Sequence, residues 1–136
     1  PSNFTQLTIS SYLADQPWRD QIASFCDLYK VRRDAMLESL EEHFPATAQW
    51  TKPGGGFYVW VTLPPEIDTT ALMPKAIVAK VAYVPGTAFY ADGFGSWSLR
   101  LSYCYPTPER IREGVKALGG VIKQEMASRK GFELKG

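Results

Sequence analysis

Strand-like segments interleaved with helix-like ones predict an α+β fold: a two-layer small domain whose helices pack on one face of a small, mostly antiparallel sheet. Three features carry that expectation. Apolar residues recur at three-and-four spacing over residues 18–44, the mark of one long amphipathic helix. The run Ser98-Leu99-Arg100-Leu101-Ser102-Tyr103-Cys104-Tyr105 alternates apolar with small or polar residues, the mark of a strand with two unlike faces. Thr107-Pro108-Glu109 then opens a closing helix with a capping hydroxyl, a first-turn proline and an acid near the positive helix end.

In chain order, residues 4–13 form a first amphipathic stretch that runs into Ala14-Asp15-Gln16-Pro17. Pro17 suits the first position of the next helix, with Asp15 or Gln16 near its N-cap. Ile22, Phe25, Cys26, Tyr29, Met36, Leu37, Leu40 and Phe44 supply that helix's buried stripe. Asp20, Asp27, Asp34, Glu38 and Glu41 face water, and the helix runs to about His43, where Pro45 stops it. Ala48-Gln49-Trp50-Thr51, the break Lys52-Pro53-Gly54-Gly55-Gly56 and Phe57-Tyr58-Val59-Trp60-Val61-Thr62-Leu63 read as strand, turn, strand. Pro64-Pro65 ends the second strand. Asp68 or Thr69 caps a short helix reaching about Ala79, kinked or shortened at Pro74. Val81-Ala82-Tyr83-Val84 reads as a short buried strand closed by Pro85-Gly86, and residues 87–96 as a loop into the Arg100 strand. Ile111, Val115, Leu118 and Ile122 stripe the closing helix, and residues 128–136 form a polar, frayed tail. The sheet face that carries Arg100 and the glycine turn has no cover in this chain.

Composition narrows the function classes. With 136 residues, 45% apolar and 21% charged, the chain can bury a real core as one ordinary globular domain. A net charge of +1, with no basic block longer than two residues, gives no electrostatic case for nucleic acid or a membrane surface. Its apolar runs fall far short of a bilayer span. Cys26 and Cys104 lie far apart with no metal-type spacing and are expected to be reduced, buried thiols of a cytoplasmic protein. The start, Pro1-Ser2-Asn3-Phe4, has neither an initiator methionine nor a signal segment, so a piece of a longer protein is expected.

Arg100 is the candidate binding residue. Ser98, Ser102 and Cys104 share its face and leave room before a guanidinium whose planar fork matches a carboxylate bidentately, which a lysine cannot do. Leu99, Leu101, Tyr103 and Tyr105 fall on the opposite, core-facing side. On the residues alone, a solvent-face arginine of a half-exposed sheet fits the same pattern.

Three segments widen the choice: Lys52-Pro53-Gly54-Gly55-Gly56-Phe57-Tyr58-Val59-Trp60, Val81-Ala82-Tyr83-Val84-Pro85-Gly86-Thr87-Ala88-Phe89-Tyr90, and Leu99-Arg100-Leu101-Ser102-Tyr103-Cys104-Tyr105-Pro106-Thr107-Pro108-Glu109-Arg110-Ile111. In this order, behind a long helix containing Tyr29-Lys30-Val31-Arg32-Arg33-Asp34, the chain resembles the C-terminal small domain of fold-type-I, pyridoxal-phosphate-dependent aminotransferases. The likeness is to the class I/II branch with 2-aminoadipate, kynurenine and aromatic aminotransferases, and it covers residues 1–126. Lys80 departs from it, since the family usually has a glycine before the short strand.

The resemblance implies that Arg100 binds the α-carboxylate of an amino or 2-oxo acid and that Tyr58 stands at the mouth of the substrate pocket. Phe89 and Tyr90 either wall that pocket or pack in the core; Trp50, Trp60 and Trp97 are assigned to structure, and His43 is given no catalytic role. None of the eight lysines matches the family's Schiff-base context, so no catalytic, cofactor-binding or metal-binding residue is assigned here. Pyridoxal 5'-phosphate would be bound by a large domain upstream in the same chain. Residues 1–16 would then be a connecting helix, 17–127 the small domain and 128–136 the tail. The full-length protein is expected to be a cytoplasmic homodimer acting on amino acid and 2-oxo acid substrates, with this segment inactive alone. A ligand-sensing, aminotransferase-like domain of a winged-helix transcription regulator is the alternative, and a self-standing ligand-binding or interaction domain a third. Which amino acid is handled is not written in this segment.

Overall fold

The structure is a computed structural model that describes residues 2–133. Helix α1 (Asn3–Asp15) is followed by α2 (Trp18–His43), with Pro17 between them at the N-cap of α2. Pro17 was expected one position later in the helix; it sits outside because the Trp18 N–H bonds back to the Gln16 carbonyl at 2.8 Å. The Trp18 indole also donates to the Leu13 carbonyl at 3.0 Å, closing the last turn of α1.

The first amphipathic stretch is not amphipathic in place. Apolar side chains point all round α1, and Phe4 at 79% and Leu7 at 70% exposure are among the most exposed in the chain. The α2 stripe is likewise only half a core stripe. Ala35, Met36, Ser39 and Leu40 are buried, whereas Ile22, Phe25 and Cys26, nearer the start of the helix, are exposed. The expectation of two buried thiols therefore fails: Cys26 is exposed and Cys104 half-buried.

Four strands form one antiparallel sheet in the order β1-β2-β4-β3, where β1 is Gln49–Trp50, β2 Tyr58–Thr62, β3 Val84–Pro85 and β4 Ser98–Ser102. The register sets Trp60 and Val84 on either side of Arg100, and Tyr58 opposite Ser102. Alternation decides which face is which: Val59, Val61, Leu99 and Leu101 point into a core closed by Leu40 and Phe44 of α2 and by Ile111, Val115, Leu118 and Ile122 of α4 (Pro108–Glu133). The closing helix continues through Ser128 to Glu133. At its start, Glu109 accepts from its own backbone N–H and the Thr107 hydroxyl, which holds its carboxyl below the usual range. Tyr103 follows the strand pattern and is fully buried, but β4 ends at Ser102, so Tyr105 loses the alternation and is 89% exposed rather than core-facing.

The expected strand over residues 81–84 is displaced to Val84–Pro85. Helix α3 (Thr69–Val78) explains why. Asp68 caps it, its carboxylate accepting from the N–H groups of Thr70 and Ala71 at 2.8 and 3.0 Å. At its other end Lys80 N–H bonds to Ile77 and Val81 N–H to Ala76, the paired bonds of a Schellman motif, so Val81 is spent on the helix rather than the sheet. Lys80 therefore holds the left-handed position at φ 61°, where a glycine carries no Cβ penalty. Lys80→Gly is expected to stabilise the domain by about 1 kcal/mol. A urea melt with a raised midpoint and unchanged slope would show it; a lowered midpoint would mean that the Lys80 side chain holds the turn.

A buried latch joins α3 to the entry of β4. The Thr69 N–H and hydroxyl both donate to Ser96 O, at 2.7 and 2.8 Å, and the hydroxyl also lies 2.8 Å from Ser98 O. The Tyr83 hydroxyl donates to Thr69 O at 2.6 Å, and burial first, then the nearby Asp68 charge, pushes its pKa up to about 12. A phenol with a raised folded-state pKa supports the fold fully below its unfolded value of 10.0, and that support drains away as pH rises from about 10 to 12. Titration of phenolate absorbance should show Tyr83 ionising late, and Tyr83→Phe should remove its part of the late rise, leaving that of Tyr103, whose phenol burial also pushes up. Ionisation of every tyrosine by pH 10.5 in the folded protein would contradict it.

Candidate functional site

Position 100 lies at the centre of the sheet, on the face away from the helices. The Arg100 guanidinium carbon sits 4.0 Å from the ring centroid of Tyr58 and 4.8 Å from that of Phe89. Tyr58 arrives by alternation along β2. Phe89 arrives on a short 3-10 turn, Gly86–Phe89, that follows β3 directly. Trp60, cross-strand from Arg100, packs edge-to-face on Phe89 at 5.3 Å and lies tilted to Tyr90 at 6.3 Å. Two rings thus address the guanidinium and two more brace them.

The approach of that loop depends on two glycines. A Cβ on Gly86 would stand 2.3 Å from the Gly95 carbonyl oxygen, and one on Gly95, which has φ 81°, would meet the Tyr90 ring at 2.6 Å. The loop folds back on itself with no side chain between its limbs. Phe89 is thereby held over Arg100.

Charge accounting sets Arg100 apart. Arg32, Arg33, Arg110, Arg112 and Arg129 each donate to a protein oxygen, and Arg19, which does not, is exposed beside the Trp18 ring. Arg100 is half-buried and, among the described residues, meets no hydrogen-bond acceptor and no carboxylate. Aromatic rings attract a guanidinium by roughly 0.5–2 kcal/mol each but leave its N–H donors unsatisfied. Those donors remain available to a carboxylate, which a guanidinium meets in its own plane.

The structure brings Arg100 and Tyr58 together and adds Phe89 beside the guanidinium. Trp60, assigned to structure from sequence, belongs to the same aromatic cluster. The signal was present: Trp60 is two residues from Tyr58 on one strand and so shares its face. Tyr90 joins the cluster through Trp60. His43 lies at the far end of α2, with Nε2 3.8 Å from a Glu42 carboxylate oxygen. A cleft of about 350 Å³ lies between α2 and the glycine turn.

Residues 2–118 match the family described as aminotransferase class I and II. The chain belongs to that family. This aminotransferase-family chain is 44% identical over 125 residues to aromatic-amino-acid aminotransferase 1 of Thermococcus litoralis, an alignment covering 92% of the chain and 30% of the relative. It is 33% identical over 128 residues to an uncharacterized HTH-type transcriptional regulator of Bacillus subtilis, covering 94% of the chain and 26% of that protein. Among solved structures it superposes with a TM-score of 0.81 and 35% identity on the α-aminoadipate aminotransferase LysN of Thermus thermophilus, complexed with N-(5'-phosphopyridoxyl)-L-leucine. That superposition covers 85% of this chain and 30% of the other. The chain spans less than a third of the length of each of these proteins.

Among the described residues no lysine fits the imine-forming role of a pyridoxal phosphate holder. An imine-forming lysine is activated by enclosure in an apolar or cationic pocket, yet Lys30, Lys52, Lys75, Lys80, Lys116 and Lys123 are all exposed, and Lys75 is paired with Glu125. Among the described residues no group of three His, Cys, Asp or Glu side chains could hold a metal ion, and no helix is long and apolar enough to cross a membrane.

Proposed function

We propose that this chain is the part of a pyridoxal-phosphate-dependent aminotransferase that binds the substrate carboxylate, with the cofactor held by residues outside it. The observation that carries the reading is the half-buried Arg100, faced by Tyr58 and Phe89 and lacking an acceptor among the described residues. Arg100 fixes the α-carboxylate of an amino acid or 2-oxo acid and so orients the carbon that gains or loses the amino group. Tyr58 and Phe89 hold the guanidinium plane, while Trp60 and Tyr90 support that wall. The large domain of the same polypeptide and a second copy of the full-length protein complete the site.

A second reading rests on the Bacillus subtilis regulator: the same fold and the same arginine could bind an amino acid as a signal rather than as a substrate. Amino-group transfer separates the two. The full-length protein, supplied with pyridoxal phosphate, should move the amino group of an amino acid to a 2-oxo acid and discriminate strongly against the amine of the same side chain. Ligand binding without transfer, joined to DNA binding, would favour the regulator.

A further inference from the structure

Two adjacent arginines on α2 grip both strands of the site. Arg32 donates from Nη1 to the carbonyl of Cys104, beyond the end of β4, and packs over Tyr29 at 5.8 Å. Its Nε is buried and has no partner among the described residues. Arg33 reaches the other strand: Nη1 lies 3.4 and 3.3 Å from the carbonyls of Pro53 and Gly54, at the turn that enters β2. Asp34 fixes the opposite edge of that guanidinium, at 2.9 Å from Nε and 2.7 Å from Nη2. Tyr103, fully buried, ties the two strands to each other, its N–H bonding to Phe57 O at 3.0 Å and its hydroxyl to Gly55 O at 3.3 Å.

An aromatic path runs from the same stretch of helix to the site. Tyr29 packs edge-on to Phe57 at 4.8 Å, Phe57 to Tyr58 at 6.4 Å, and Tyr58 lies 4.0 Å from the Arg100 guanidinium carbon. Tyr103 still bonds across to Phe57, but one residue on, among the described residues, the Cys104 N–H finds only the Ser102 hydroxyl at 3.5 Å. The bond from Arg32 is what holds the carbonyl side of that segment against the helix.

We propose that Arg32 is a positioning residue for the carboxylate site: by holding Cys104 it fixes the far end of β4 and therefore where the Arg100 guanidinium stands between Tyr58 and Phe89. The proposal rests on the reading of Arg100 as the carboxylate anchor. Arg32 touches no substrate. A guanidinium can donate to the carbonyl while lying within reach of the Tyr29 ring, and its planar fork of several donors is not matched by a lysine.

The test uses the full-length protein and the ratio of kcat/KM for an amino acid to kcat/KM for the amine of the same side chain. Arg32→Ala should lower that ratio about ten- to a hundredfold, the cost of a displacement near 1 Å at the reacting carbon. The loss should be chiefly in KM for the amino acid, and Arg32→Lys, which keeps a donor, should recover part of it. If Arg32→Ala does not fold, Arg32→Gln, which keeps an N–H donor without the charge, is read instead with the same expectation at smaller size. Equal loss for both substrates, or an unchanged ratio, would mean that Arg32 only stabilises the fold and would overturn the proposal. Arg100→Ala separates the two failures. If it leaves the ratio intact, the carboxylate reading falls; if it collapses the ratio while the Arg32 variants do not, only the positioning role falls.

Discussion

Arg100→Ala is expected to cost the full-length protein between tens-fold and a few thousand-fold in kcat/KM while leaving the fold in place. Truncating one member of a desolvated, bidentate ion pair costs roughly 2–5 kcal/mol, and about 1.4 kcal/mol is a factor of ten. The fold should survive because Leu99 and Leu101, not Arg100, enter the core, and because no described protein group bonds to the guanidinium. The Tyr58 and Phe89 rings would lose their contacts to Arg100 and no hydrogen bond to it. Arg100→Lys should recover only part of the activity, since an ammonium attracts the carboxylate without setting its plane. The decisive reading is the amino acid to amine preference. It should collapse in Arg100→Ala, and an unchanged preference would return Arg100 to the role of a plain sheet-face residue.

The second large effect is on stability, at Gly86. An alanine there would place its Cβ 2.3 Å from the Gly95 carbonyl oxygen, 2.8 Å from the Ser98 Cβ and 2.9 Å from the Ser98 carbonyl oxygen. Two of those three atoms are backbone, so relief requires moving the loop limbs rather than turning a side chain. Overpacking of this kind costs about 1–3 kcal/mol, and the backbone wall puts Gly86→Ala at the top of that range. A thermal midpoint lowered by about 4 °C per kcal/mol is expected for a domain of this size. Gly54→Ala is the matched control, because a Cβ at Gly54 meets nothing within 4 Å. If the two variants melt together, the close approach of residues 86 and 95 is not what holds the Phe89 loop.

The parts of this architecture that depend on local periodicity could be read directly. Residues 59, 61, 99 and 101 alternate into the core as their spacing requires, and Asp68 and Thr107 take the capping positions that their side chains suit. What failed depended on partners. Ile22, Phe25 and Cys26 continue a correct helical period, but period says which side of a helix is apolar, not whether anything covers it. The strand near Tyr83 moved because a helix ending with Lys80 in the left-handed region took the N–H of Val81, a tertiary and capping outcome that propensity does not register. Arg100 and Tyr58 lie on regular strands, so alternation gives the face each takes, while a binding role for either comes from the family resemblance. Phe89 could not be placed, because its position depends on a loop doubling back between Gly86 and Gly95, a contact between residues with no side chain to signal it. Arg32 and Arg33 were visible only as part of a motif; their work is done through carbonyls 72 and 20–21 positions away along the chain.

The most direct measurement is a crystal structure of the full-length protein with a bound amino acid or a non-reacting acid of the same shape. The account predicts both carboxylate oxygens paired in plane with the Arg100 guanidinium at about 2.7–2.9 Å, the Tyr58 and Phe89 rings still beside it. A carboxylate bound by other groups, with Arg100 left facing solvent or paired to a carboxylate of the protein itself, would contradict it.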